Sequence, residues 1–266
     1  MGFGRIIGAT WVITSLGKLI HPSREKPPYT KSWKQGQWTK YLNTTCFTTA
    51  LLYRMRDFQS FIKIKWDDPD GILTSSQNSG GLMLSYHHPF AYHLPAFIGS
   101  IGIEVEALAL SPNESPLYPL YTKYVASWFT DTECHFHGGK WQFLYKNKNN
   151  NIRTSLVALK NGKLVYSLHD FPNIYPDAKT LPFLLTDKSF LAPEGLIGPA
   201  TKMRLPISVA YVRWLGGTEV SIHIRTLNSC GRDNRSPAEI MNIYSGILNE
   251  LVSKDPEFWE AWGSIQ

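Results

Sequence analysis

The segment Ser85-Tyr86-His87-His88-Pro89-Phe90-Ala91-Tyr92-His93 places three imidazoles within seven positions. Histidine changes charge near neutrality and is the usual general base there; it works best when a second group orients its ring. The apolar run Gly81 to Tyr86 reads as a buried strand that delivers His87 and His88 at its carboxyl end, and Pro89 suits the first turn of a following helix. Residues five apart across such a junction can fold back on each other. The expected pair is therefore His88 as base with His93 hydrogen-bonded to it as orienting partner, and His87 beside them as a candidate for substrate contact.

Other chemistry finds less support. The doublet His87-His88 invites comparison with the H-H-x-x-x-D motif of condensation domains and coenzyme A-dependent acyltransferases, but Tyr92 stands where the aspartate belongs. Cys134, His135 and His137 are of the types that bind zinc, yet no C-x2-C or H-E-x-x-H spacing accompanies them. Neither metal nor cofactor is expected. There is no G-x-S-x-G elbow, phosphate-binding loop or dinucleotide-binding glycine signature. Asp67-Asp68-Pro69-Asp70-Gly71 reads as a turn, since a calcium loop needs further oxygen ligands and a distal glutamate at set spacing.

The elements that must position the histidines follow from periodicity. Helical spacing is expected over Ser32 to Arg56, Tyr118 to Phe129, Arg153 to Leu159 and Ile197 to Arg204, and strands over Phe61 to Trp66, Ile103 to Leu110, Leu164 to Leu168, Ile207 to Trp214 and Glu219 to Leu227. Cys134 to His137 is read as a short strand. Ser236 followed by Glu239 is a capping box that opens a helix running through Val252. Strands and helices interleave, which predicts an α/β fold with a mixed central β-sheet flanked by helices. The organisation expected is a helical N-terminal extension over residues 1–60 packed on an α/β domain over residues 61–266.

The chain has 266 residues, 43% of them hydrophobic, and no run of eighteen apolar residues. Between Met1 and Ile20 the apolar residues are broken by Gly4, Gly8 and Gly17 and ended by Lys18, so a docked or interfacial helix is expected there in place of a secretory signal. Cys46, Cys134 and Cys230 are widely spaced and odd in number, which fits a reducing compartment and a cytoplasmic location, with peripheral contact at the inner membrane. The net charge of +6 suits anionic headgroups, coenzyme A phosphates or an acidic carrier protein, and no nucleic-acid-binding motif is present.

The block Gly81-Leu82-Met83-Leu84-Ser85-Tyr86-His87-His88, with a second polar residue five positions on, resembles the strand and H-x4-D/E motif of the bacterial lipid A late acyltransferases. These are the lauroyl and myristoyl transferases of the lysophospholipid acyltransferase superfamily. The resemblance continues through Ala158-Leu159-Lys160-Asn161-Gly162-Lys163-Leu164-Val165, His169-Asp170 and Pro182-Phe183-Leu184. It runs on through Gly195 to Arg213 and Asp255-Pro256-Glu257-Phe258-Trp259, covering about Ile62 to Trp262. It implies an acyltransferase that moves a fatty acyl group from an acyl carrier protein or coenzyme A thioester to a hydroxyl or amine of a glycolipid or secondary metabolite. His88 would be the base and no covalent enzyme intermediate would form.

The sequence departs from that pattern at two places: His93 replaces the carboxylate, and Ser111-Pro112 replaces an Arg-Pro. A neutral His93 orients a base but does not balance the imidazolium charge. Either Asp170, Glu106 or Glu133 supplies the missing charge, or the reaction needs less help, or the chain is a non-catalytic relative that binds an acyl chain or carrier protein. Arg153 and Lys202 are the candidates for phosphate or carrier contact.

Overall fold

The computed structural model describes residues 35–111, 127–144, 151–173, 177–229 and 235–261. The expected helix between Met1 and Ile20, the first part of the one over Tyr118 to Phe129, and Cys230 lie outside these residues. Helix α1 (Gln35–Leu52) leads through a 3-10 turn (Met55–Ser60) into β1 (Lys63–Asp67), α2 (Ile72–Ser79) and β2 (Gly81–Ser85). Then come α3 (Leu94–Gly99), β3 (Val105–Leu110), a helical stretch at 127–133, β4 (Trp141–Leu144), α4 (Asn151–Lys160) and β5 (Leu164–Leu168). The hairpin β6 (Thr180–Leu185) and β7 (Lys188–Pro193) precedes α5 (Ile197–Lys202), β8 (Ile207–Gly216), β9 (Glu219–Asn228) and α6 (Pro237–Lys254).

Among the described residues seven strands form a mixed sheet in the order β1-β9-β8-β2-β5-β3-β4, with helices on both faces; within this sheet only the β8–β9 pair is antiparallel. β2 shows why it is central: all five of its residues are buried, as expected of a strand covered on both faces. One face packs Leu82, Leu84, Val165, Val209 and the β6–β7 hairpin against α4, α5 and α6. The other packs Met83, Tyr166, Ala210 and Ile222 against α1, α2 and α3. Alternate residues of β2 thus serve opposite layers, as the two-residue period of a strand requires.

The expected capping box forms at α6: Ser236 Oγ accepts from the Glu239 N–H, and the Glu239 carboxylate accepts from the Ser236 N–H at 2.7 Å. The turn after β1 has a local purpose, because the Asp68 carboxylate accepts from the N–H groups of Ile72 and Leu73, both at 2.9 Å, and caps α2.

Three details differ from expectation. No helix starts at Pro89; residues 87–88 bend and 89–93 are turns, and α3 begins at Leu94 with Pro95 in its first turn. The His88 Nδ1 accepts from the Phe90 N–H at 3.1 Å, a local side-chain-to-backbone bond within the turn. Cys134 to His137 is a turn, with His137 at a φ of 52° and Gly138 and Gly139 after it. The β6–β7 hairpin, β4 and α2 had no counterpart in the expected elements.

Candidate active site

The connections that leave adjacent strands β2 and β5 pass over opposite faces of the sheet. β2 continues into α3 on one side, and β5 continues through the β6–β7 hairpin and α5 on the other. In open α/β sheets the crevice outside the carboxyl ends of such a strand pair is where ligands bind. The β2–β5 register pairs Ser85 with Leu168, and carried two residues further it sets His87 opposite Asp170.

The two residues meet there. Asp170 is fully buried, and its Oδ1 lies 2.6 Å from His87 Nδ1. Its Oδ2 accepts from the His87 backbone N–H at 2.7 Å and from the Trp259 Nε1–H at 2.6 Å. An ionised carboxylate only accepts, so His87 Nδ1 carries the proton, and Nε2 is the basic position of the neutral ring. The His87 side chain is 31% exposed and stands edge-on to Phe171 with 5.0 Å between ring centroids. Burial alone would raise the Asp170 carboxyl, but the charge and ring hydrogen bond of His87, its backbone N–H and the Trp259 indole outweigh it and hold the group below the usual carboxylate range. Burial pulls the His87 imidazole down, and the Asp170 charge and hydrogen bond, with a smaller push from Glu260, carry it above its ordinary value.

His88 sits differently. It is 1% exposed and stacks on Phe258 at 5.3 Å between centroids. Because its Nδ1 accepts from the Phe90 N–H, its proton is on Nε2, which donates toward Ser85 Oγ at 3.3 Å. Both nitrogens of the neutral ring are engaged. The expected hydrogen bond between His88 and His93 does not form. His93 is also 1% exposed, and its Nε2 donates to the Thr48 carbonyl of α1 at 3.0 Å. A helix opening at Pro89 would have folded the two rings together; a helix opening at Leu94 turns His93 toward α1.

Among the expected supporting acids only Asp170 is at the site. Glu106 binds Lys163 and Gln142, and Glu133 accepts from the Trp141 N–H. Arg153 on α4 and Lys202 on α5 are exposed, and among the described residues neither shares a hydrogen bond or ion pair with His87 or Asp170. His135 Nε2 lies 2.6 Å from the Met55 carbonyl, and no group of three or more His, Cys, Asp or Glu residues that could hold a metal occurs among the described residues.

A further buried histidine lies beside Asp170 at the end of β5. His169 is 4% exposed, donates from Nδ1 to the Pro193 carbonyl at 3.0 Å and has its Nε2 3.0 Å from Ser167 Oγ, tying the end of β5 to the end of β7. A Cβ on Gly195, at a φ of 52°, would lie 2.1 Å from the His169 ring, so glycine is needed there both for its backbone and for its lack of a side chain.

Burial pushes His88 and His93 each down to about 3. Both stay neutral in the folded chain, while the unfolded chain takes up their protons as pH falls through the ordinary value of 6.5. Folded-state pKa values below the unfolded ones make stability fall with falling pH. From pH 7 to pH 5 these two alone should cost about 4 kcal/mol; His169, also lowered by burial, adds to the loss, while His87 protonating against Asp170 and the Glu260 carboxyl, raised to about 7 by burial, offset part of it. Urea unfolding at the two pH values measures this, and His93→Gln should flatten the dependence.

No protein-family model matches the chain, and a search of curated proteins finds no similar sequence. Among the described residues no helix is long and apolar enough to cross a membrane.

Proposed function

We propose that the chain is an acyltransferase in which His87, oriented by Asp170, is the general base. The observation that carries this reading is the buried carboxylate on His87 Nδ1, which leaves Nε2 as the basic position of a partly exposed ring at the carboxyl ends of β2 and β5. The segments that resemble the lipid A late acyltransferases support the choice of acyl transfer: they fall on β2, β5, β6, α5 with β8, and the segment carrying Trp259. The resemblance implied His88 as the base and a carboxylate five residues on, where this chain has His93. In the proposed site the base is the first histidine of the doublet, and its carboxylate comes from β5.

His87 Nε2 takes the proton of an acceptor hydroxyl or amine, whose oxygen or nitrogen attacks the thioester carbonyl. The resulting imidazolium is stabilised by Asp170 and returns the proton to the departing thiol. Acceptor, acyl group and thiol are all accounted for without a covalent enzyme intermediate. An acyl carrier protein or coenzyme A thioester is the proposed donor, consistent with the net charge of +6. A glycolipid or secondary metabolite is the acceptor class, and contact with a membrane surface would bring a lipid acceptor within reach.

The test is intact-mass analysis of donor and acceptor after incubating the full chain with carrier-bound and coenzyme A-bound acyl chains and hydroxyl and amine acceptors. Gain of the acyl mass by an acceptor supports the proposal. Release of free fatty acid alone would make the protein a thioesterase, and tight donor binding with no turnover would make it a binding protein.

A further inference from the structure

The segment after α6 returns to the crevice and grips both members of the pair. Phe258 stacks on His88, Trp259 donates to Asp170 from 89 residues away, and the Glu260 N–H donates to the His87 carbonyl at 2.8 Å. The segment is itself fixed from two sides. Lys40 of α1 reaches Asp255 at 2.7 Å and Glu257 at 2.9 Å, and Arg213 of β8 reaches Asp255 at 3.1 Å. Trp259 is fully buried. Any large apolar side chain could fill its space, but only an indole brings a donor that cannot also accept to the carboxylate oxygen.

We propose that Trp259 is a positioning residue of the site: its indole N–H takes up part of the Asp170 charge, which limits how strongly the carboxylate holds a proton on His87. The inference rests on the assignment of His87 and Asp170 as the reacting pair. A hydrogen bond to a charged group is one of the strong ones, and what it withdraws from Oδ2 is not offered to the imidazolium through Oδ1. Without it the imidazole would hold its proton to higher pH, and less of the base would be available near neutrality. The ionisable groups that face His87 are Asp170 and His169 at the end of β5, His88 beside it, and Glu260 of the C-terminal segment. His88 and His169 are buried, and both have their pKa lowered chiefly by that burial. Asp170 and Glu260 are the acids of the set; Asp170 is held ionised, the Glu260 carboxyl is raised to about 7 by burial, and the indole N–H bonds Asp170.

The experiment replaces Trp259 in the full chain by benzothienylalanine, which keeps the bicyclic shape and puts sulfur where the N–H was. The histidine Cε1–H signals are followed by NMR against pH, with His87 assigned by its absence in His87→Asn. The expected result is a rise of about one unit in the His87 midpoint, with folding retained, and an equal upward move of the acidic limb of acyl transfer. Trp259→Phe should shift in the same direction. A His87 midpoint that does not move would reduce Trp259 to packing, and a downward move would contradict the charge-withdrawing role. The titration reads this without any turnover: a raised midpoint in a chain that acylates nothing would uphold the inference and sink the acyltransferase reading.

Discussion

Asp170→Asn is expected to slow acyl transfer by about a thousand- to ten-thousand-fold, the scale seen when a buried carboxylate behind a catalytic histidine becomes its neutral isostere. The geometry explains why so small a change costs so much. Oδ2 accepts two N–H groups, from the His87 backbone and the Trp259 indole, so the amide oxygen of the variant must occupy that position. Its NH2 then faces His87 Nδ1. Two donors cannot face each other, so the ring proton moves to Nε2, and the nitrogen that should take the substrate's proton no longer has a free lone pair. Loss of the negative charge also removes the stabilisation of the imidazolium. Steady-state kinetics should place the loss in kcat, because the carboxylate is fully buried and acts through the His87 ring.

The next largest effect separates two adjacent histidines. His87→Asn keeps an amide N–H that can donate to Asp170 but has nothing at the Nε2 position, so transfer should fall by about a hundred- to ten-thousand-fold, the usual worth of a general base. Its melting temperature should change little, since the side chain is partly exposed. His88→Asn should do the reverse. The amide oxygen can still accept from the Phe90 N–H, and the rate should stay within about tenfold of wild type, below the worth of a general base. Removing ring volume from against Phe258 in a fully packed region should cost stability, about 1 to 3 kcal/mol. Activity lost in His88→Asn and kept in His87→Asn would return the base to the second histidine.

Much of the framework could be read from the sequence because it rests on local physics. The burial of β2 shows in its unbroken apolar run, β5 and β9 in their short apolar and alternating segments, and the start of α6 in Ser236 and Glu239, whose side chains need only each other's backbone. The hairpin was hidden by Pro182 inside β6, a residue that a two-stranded ribbon tolerates, and by a turn in which Thr186, with a φ of 55°, does what glycine usually does. β4 is only four residues long.

The site was half legible for a similar reason. The histidine doublet at a strand end is a local signal, and Asp170 stood with Glu106 and Glu133 as a candidate supporting acid. Which histidine faces the carboxylate depends on the β2–β5 register, and that is a tertiary fact. The preference for His88 came from the family resemblance and from the spacing to His93, and His93 makes a different contact, with the Thr48 carbonyl on α1. Trp259 could not be found from spacing at all, since it reaches Asp170 across 89 residues. Its only trace was its place in the Asp-Pro-Glu-Phe-Trp segment.

The measurement that bears most directly on the account is the pH dependence of single-turnover acyl transfer, set beside the NMR titration of His87 in the same protein. The rate should rise with the loss of one proton, with a midpoint above the ordinary histidine value of 6.5, because the Asp170 charge and hydrogen bond outweigh burial at His87. That midpoint should coincide with the His87 signal. A rate that is flat across the His87 titration, or that follows a different group, would contradict His87 as the base.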